Sequence, residues 1–145
     1  MRIIENITDD YAHCRDEQAF KKLYTVSMIK KRYSSVIQQK IFNVETEETV
    51  AGFPDVMELL TDKEATRAKF YEFKISDARG NIKFQPTQPA FYKNNSELWI
   101  RVIAYNRQTR RVHRFSPDEI FDKESPYFTM NGRVNLTAVE KEIGI

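Results

Sequence analysis

Residues 9–20, DDYAHCRDEQAF, contain neither Gly nor Pro, and Tyr11, Cys14 and Phe20 share one stripe, which predicts a short helix. From Leu23 the run LYTVSMI alternates and is rich in β-branched and aromatic residues. That favours a strand, with a helix continuing to Lys31 as the competing reading. Residues 34–44 are also strand-like, and residues 49–53 predict a return partner across a turn carrying Glu45, Glu47 and Glu48. Pro54 stands where helices prefer to begin, so residues 54–62 predict a short helix that turns Val56, Met57, Leu59 and Leu60 to a sheet.

The cleanest alternation lies in residues 69–75, with Phe70, Glu72 and Lys74 on one face and Tyr71, Phe73 and Ile75 on the other. Residues 82–84 repeat it after a turn from Asp77 to Asn81, predicting a hairpin in which Gly80 and Asn81 take positive φ. Two prolines and two asparagines mark residues 85–97 as a long loop. Residues 98–106 form the strongest buried-strand pattern, and residues 110–115 read as its partner. Ser116 before Pro117 predicts another short helix. Asn131-Gly132 marks a turn, and Thr137 with Glu140 has capping-box spacing for a last helix ending near Gly144. The expected class is α+β: a mainly antiparallel sheet of hairpins with three or four short helices packed on it. An echo about sixty residues apart, strand-turn-strand and then a proline-led helix, reads as two similar packing solutions rather than a duplication.

At 145 residues, with 41% hydrophobic and 30% charged positions, the chain fits one domain over residues 1–145 and excludes low-complexity and collagen-like classes. Apolar runs are too short to cross a bilayer, and a single cysteine, Cys14, cannot pair internally. Both features point to a cytoplasmic protein with no membrane partner.

The net charge is only +2, so the distribution matters more than the sum. Between Arg101 and Arg114 lie Arg107, Arg110 and Arg111 together with His113, and no acid interrupts them. Guanidinium groups donate paired hydrogen bonds to phosphate oxygens, so Arg107, Arg110, Arg111 and Arg114 are candidate nucleic-acid contacts, helped by Lys30, Lys31 and Arg32. Tyr92 and Tyr105, beside polar turns, are candidates for stacking on bases. The competing reading pairs the arginines with Glu45, Glu47 and Glu48 or leaves them as a charged edge.

His13 and His113 sit in no metal-ligand spacing, and neither a cofactor motif, a metal site nor a catalytic constellation is assigned. The leading expectation is a small non-enzymatic accessory or regulatory protein that binds RNA or single strands through its arginine hairpin. The alternative is a protein-protein interaction module, a regulator or inhibitor with oppositely charged hairpins. Third stands a phosphodiesterase-like enzyme with His113 as its base.

Overall fold

The computed structural model describes residues 2–6, 9–30, 38–44 and 51–145. In chain order its elements are β1 (Ile3–Ile4), α1 (Glu17–Lys30), β2 (Gln38–Asn43), β3 (Val56–Thr61), β4 (Thr66–Ile75), β5 (Asn81–Lys83), α2 (Thr87–Asn94), β6 (Ile100–Asn106), β7 (Arg111–Phe115), a 3-10 turn (Pro117–Ile120), β8 (Arg133–Asn135) and α3 (Leu136–Ile143). Six strands form one sheet in the order β1-β7-β6-β4-β3-β2, and β5 pairs with β8 in a second, two-stranded sheet. The class is α+β. The large sheet is mixed rather than mainly antiparallel, because β4 and β6 run parallel, with Glu72 opposite Val102 and Lys74 opposite Ala104. A parallel pair needs a long crossover, and β5 with α2 supplies it.

Each face of the sheet is covered. α1 lies on one face, where Phe20 and Tyr24 meet Phe73, Tyr105, Ile103 and Val112. α2, the 3-10 turn, the small sheet and α3 cover the other, over Phe70, Ile100, Val102, Ala104 and Phe115. Burial of both faces explains why β4 and β6 carry large side chains on each.

Several sequence expectations give way to tertiary packing. Residues 23–30 belong to α1, not to a strand: Phe20 and Tyr24, four apart, stack edge to face on the core side, and Asp16 Oδ1 accepts from Ala19 N at the helix start. Residues 9–16 are turns that pack Tyr11 and Cys14 under that helix. The segment after Pro54 is strand β3, paired along its whole length with both β2 and β4. Two flanking strands outweigh a proline's preference for a helix start. β2 returns through β3; of the partner expected at residues 49–53, residues 51–53 form no strand and 49–50 lie outside the described residues. β5 leaves the hairpin expected with β4 to pair with β8.

The expected loop at residues 85–97 contains helix α2. Pro86 caps it and Pro89 lies in its first turn, where the missing N–H has no partner to lose. Gly52 (φ 86°) fits the loop before β3 tightly against this helix: a Cβ there would lie 2.1 Å from the Thr87 carbonyl oxygen. β6, β7 and the ending of α3 at Gly144 follow the sequence reading. The α3 cap is Asn135, whose side chain accepts from Ala138 N, not Thr137. The internal echo does not extend to structure, since one proline-led segment is a strand and the other a 3-10 turn. Among the described residues no helix is long and apolar enough to cross a membrane.

Candidate active site

The arginine hairpin is largely engaged by the chain itself. Arg107 donates to the Cys14 carbonyl at 2.9 Å and to the Arg15 carbonyl. Arg110, at the tip with φ 61°, pairs with Asp9. Arg111 donates to Glu140 Oε1 at 2.7 Å, and half-buried Arg114 lies opposite Ile3 on the neighbouring strand. Arg107, Arg110 and Arg111 therefore point to three different partners, and none of these is on the expected acidic turn. Glu45, Glu47, Glu48, Lys31 and Arg32 lie outside the described residues, and Lys30 ends α1. Tyr92 and Tyr105 are 4% and 1% exposed, which corrects their reading as stacking platforms: both rings belong to the core.

His113 is likewise no accessible base, since it has no exposed surface. Its Nδ1 meets the Tyr127 hydroxyl and its Nε2 meets Glu140 Oε2, each at 2.7 Å. Burial lowers the His113 pKa, outweighing the neighbouring carboxylate. Burial also works against the Glu140 carboxylate, yet bonds from His113, Arg111, Asn106 and Thr109 prevail and hold its pKa below the usual range. This network ties the β6–β7 hairpin to α3 and is satisfied on every side, the mark of a structural element.

A second buried polar group is different in kind. Because β4 is covered on both faces, its alternation places the charged pair Glu72 and Lys74 inside, at 2% and 5% exposure. Gln88, from the first turn of α2, bridges them: its Nε2 donates to Glu72 Oε1, and its Oε1 accepts from Lys74 Nζ at 2.9 Å and from Gln85 N at 2.8 Å. With both ends of the amide engaged, its orientation is set. Asp55, at the mouth of β3, accepts from Phe73 N at 3.0 Å and lies within hydrogen-bonding reach of Glu72.

Two atoms in this group lack a partner among the described residues, Glu72 Oε2 and the Tyr92 hydroxyl. Burial first, and then the adjoining Asp55 carboxylate, push the Glu72 pKa well above the usual carboxylate range. The Tyr92 phenol is raised by burial and by the same two acids. Glu17, exposed on the first turn of α1, adds a third negative charge felt at Glu72. Two adjoining carboxylates stay together by sharing a proton or a cation.

The sequence held one signal for this site. Glu72 and Lys74 fall on the Phe70 face of a strand whose other face carries Tyr71, Phe73 and Ile75, so a two-sided burial of that strand makes them interior charges. Asp55 and Gln88 gave no such signal, because residues 54–62 read as a helix and residues 85–97 as a loop. In comparisons with known proteins, no family model, no characterised sequence and no solved structure matches this chain.

Proposed function

We propose that the chain is a divalent-cation-dependent phosphodiester hydrolase acting on nucleic acid, with Asp55 and Glu72 as cation ligands and Lys74, through Gln88, as the positioning partner of Glu72. The observation that carries this reading is the buried Glu72 carboxylate, one oxygen without a donor, set beside Asp55 and joined to Lys74 through Gln88. Among the described residues no three His, Cys, Asp or Glu side chains gather as a metal cage. Mg²⁺ needs none: it is held by one or two carboxylates, with water and substrate phosphate completing its octahedron. An all-oxygen donor set suits Mg²⁺ or Mn²⁺ and disfavours softer ions.

When bound, such a cation neutralises phosphate charge and lowers the pKa of a coordinated water. Asp55, in the bend before β3, and Glu72, on β4, would hold it. Lys74, 5% exposed, holds Gln88, which in turn donates to Glu72 Oε1 and fixes the orientation of that ligand. In the net reaction water adds to phosphorus and the bond to the leaving sugar oxygen breaks. The attacking water releases one proton to solvent, and the departing oxygen takes one up.

The test is cleavage of a fluorescent single-stranded oligonucleotide. Wild type with Mg²⁺ or Mn²⁺ cuts it, EDTA stops it, and Lys74→Met lowers the rate by about 10- to 100-fold, the range seen when the partner that orients a metal ligand is removed. Cleavage that persists in EDTA, or that survives Lys74→Met, overturns the assignment.

A further inference from the structure

Around the end of α2, the start of β6 and the 3-10 turn lies a cavity of about 810 Å³ lined by Lys93, Leu98, Trp99, Arg101, Pro117 and Phe121, among others. Arg101 is half-buried there, donates through Nη1 to the Ile100 carbonyl at 2.8 Å, and lies over the Trp99 ring with 4.3 Å to its centroid. That ring is in turn wedged edge to face against Tyr71, so the guanidinium is held in place before any ligand arrives. Yet no carboxylate among the described residues forms an ion pair with it, and its single hydrogen bond leaves most of its N–H fork unused. Burial lowers the Arg101 pKa, with smaller and opposed effects from Asp118 and Arg114, and a guanidinium still keeps its charge. A half-buried cation without a partner is a cost to the fold that an anion in the cavity removes. On another wall, Lys93 holds its ammonium over the Phe121 ring at 5.1 Å and adds a second positive charge. The acids of the lining, Glu97 and Asp118, are exposed, where water screens them more than it screens Arg101.

We infer that this cavity binds a nucleoside monophosphate: Arg101, with Lys93, takes the phosphate, and the apolar wall of Leu98, Pro117 and Phe121 takes the sugar and base. A guanidinium fork matches two phosphate oxygens at once, which a lone ammonium does not. Inorganic phosphate alone would leave the apolar wall and most of the volume empty, whereas sites for small organic ligands occupy about 300–1,000 Å³. The half-buried Ser116 hydroxyl, which makes no capping bond at the 3-10 turn, offers the body of the ligand a polar contact. The inference stands apart from the hydrolase reading, since neither Asp55 nor Glu72 lines this cavity.

The experiment titrates the full chain with AMP, adenosine and inorganic phosphate by calorimetry in EDTA, for wild type, Arg101→Met and Asp118→Asn. Wild type is expected to bind AMP roughly tenfold or more tightly than either adenosine or phosphate, the worth of one charge-assisted contact. Arg101→Met should weaken AMP binding about 10- to 100-fold, the share of a hydrogen bond to a charged group, and leave adenosine binding unchanged. Asp118→Asn should tighten AMP binding about two- to fivefold, because it removes a carboxylate that competes for Arg101, an effect that a purely structural Arg101 would not show. No binding of AMP by the wild type, equal affinity for AMP and adenosine, or AMP affinity unchanged in Arg101→Met overturns the inference. If Arg101→Met does not fold, the exposed Lys93→Met variant replaces it in the same titration, with weaker AMP binding expected and unchanged binding overturning the inference. EDTA keeps the two proposals separate: AMP binding by a protein that cuts no oligonucleotide refutes hydrolysis alone, and cleavage by a protein that ignores AMP refutes the cavity alone.

Discussion

Replacing Glu72 by Gln should make the protein more stable and inactive. In the wild type, Glu72 Oε2 is buried beside Asp55 with no donor among the described residues, and an unsatisfied buried acceptor costs about 1–3 kcal/mol. A glutamine of the same shape keeps an oxygen for Gln88 Nε2 and turns an N–H toward the Asp55 carboxylate, converting repulsion into a hydrogen bond. For a domain of this size each kcal/mol moves Tm by roughly 2–4 °C, so the variant should melt about 3–10 °C higher in EDTA. Thermal melts at pH 8 with and without Mg²⁺ supply the assay. A cation that binds only the folded wild type raises its stability by about 1.4 kcal/mol at ten times its Kd, and that gain should vanish in Glu72→Gln. A variant that melts at or below wild type in EDTA, or that responds equally to Mg²⁺, refutes the reasoning, because the carboxylate would then already be satisfied by the fold. Destabilising groups of this kind persist at functional sites, where the ligand supplies the missing partner.

Other substitutions probe the frame around the site. Glu140→Ala should lower unfolding free energy by about 3–5 kcal/mol in urea titrations, because it strands Arg111 and removes the acceptor of His113, Asn106 and Thr109; a loss under about 1 kcal/mol contradicts the structural role of the network. Acid should weaken the fold through the same residues. The folded His113 holds its proton less tightly than the unfolded chain, and so does Glu140, so the unfolded state binds more protons and stability falls with pH. In the Glu72→Gln background, which removes the opposing contribution of the raised Glu72 pKa, the decline begins below about pH 6.5 and steepens below about 4.5, and urea midpoints that stay flat from pH 7 to 5 oppose it. Gly52→Ala should lose about 1–3 kcal/mol or more by thermal melt, since positive φ and the Thr87 carbonyl both resist a Cβ; an unchanged Tm would show that the loop moves freely. Arg110→Glu, by contrast, should alter oligonucleotide binding by less than about twofold in a filter-binding assay, because this exposed arginine pairs locally with Asp9; abolished binding would restore the arginine hairpin as the nucleic-acid surface.

The central strands were legible because their signal is strong: Ile100 to Asn106 and Arg111 to Phe115 alternate where both faces are covered, and the Gly144 ending of α3 needs only a positive φ. Val56 to Thr61 misled because Pro54 and the leucines satisfy a helix pattern locally, while the deciding influence, pairing with β2 and β4, comes from distant chain. The two prolines at 86 and 89 misled in the opposite sense, as a helix tolerates them in its first turn. Charge patterning fared worst. An acid-free arginine run looks free in sequence, yet its acids arrive from Asp9 and Glu140, about a hundred and about thirty residues away. The candidate site suffered from the same distance. Asp55, Glu72 and Gln88 are chemically mute until β3, β4 and α2 are set side by side, and only the paired charges of Glu72 and Lys74 on a two-faced strand hinted at it.

The claim on which the account turns is that Asp55 and Glu72 form a cation site. Crystals of the wild type soaked in Mn²⁺ and measured at the manganese absorption edge test it most directly. An anomalous peak in contact with both carboxylates is expected, lost in Asp55→Asn. A saturating soak that leaves that position empty, with Glu72 and Asp55 still side by side, contradicts it.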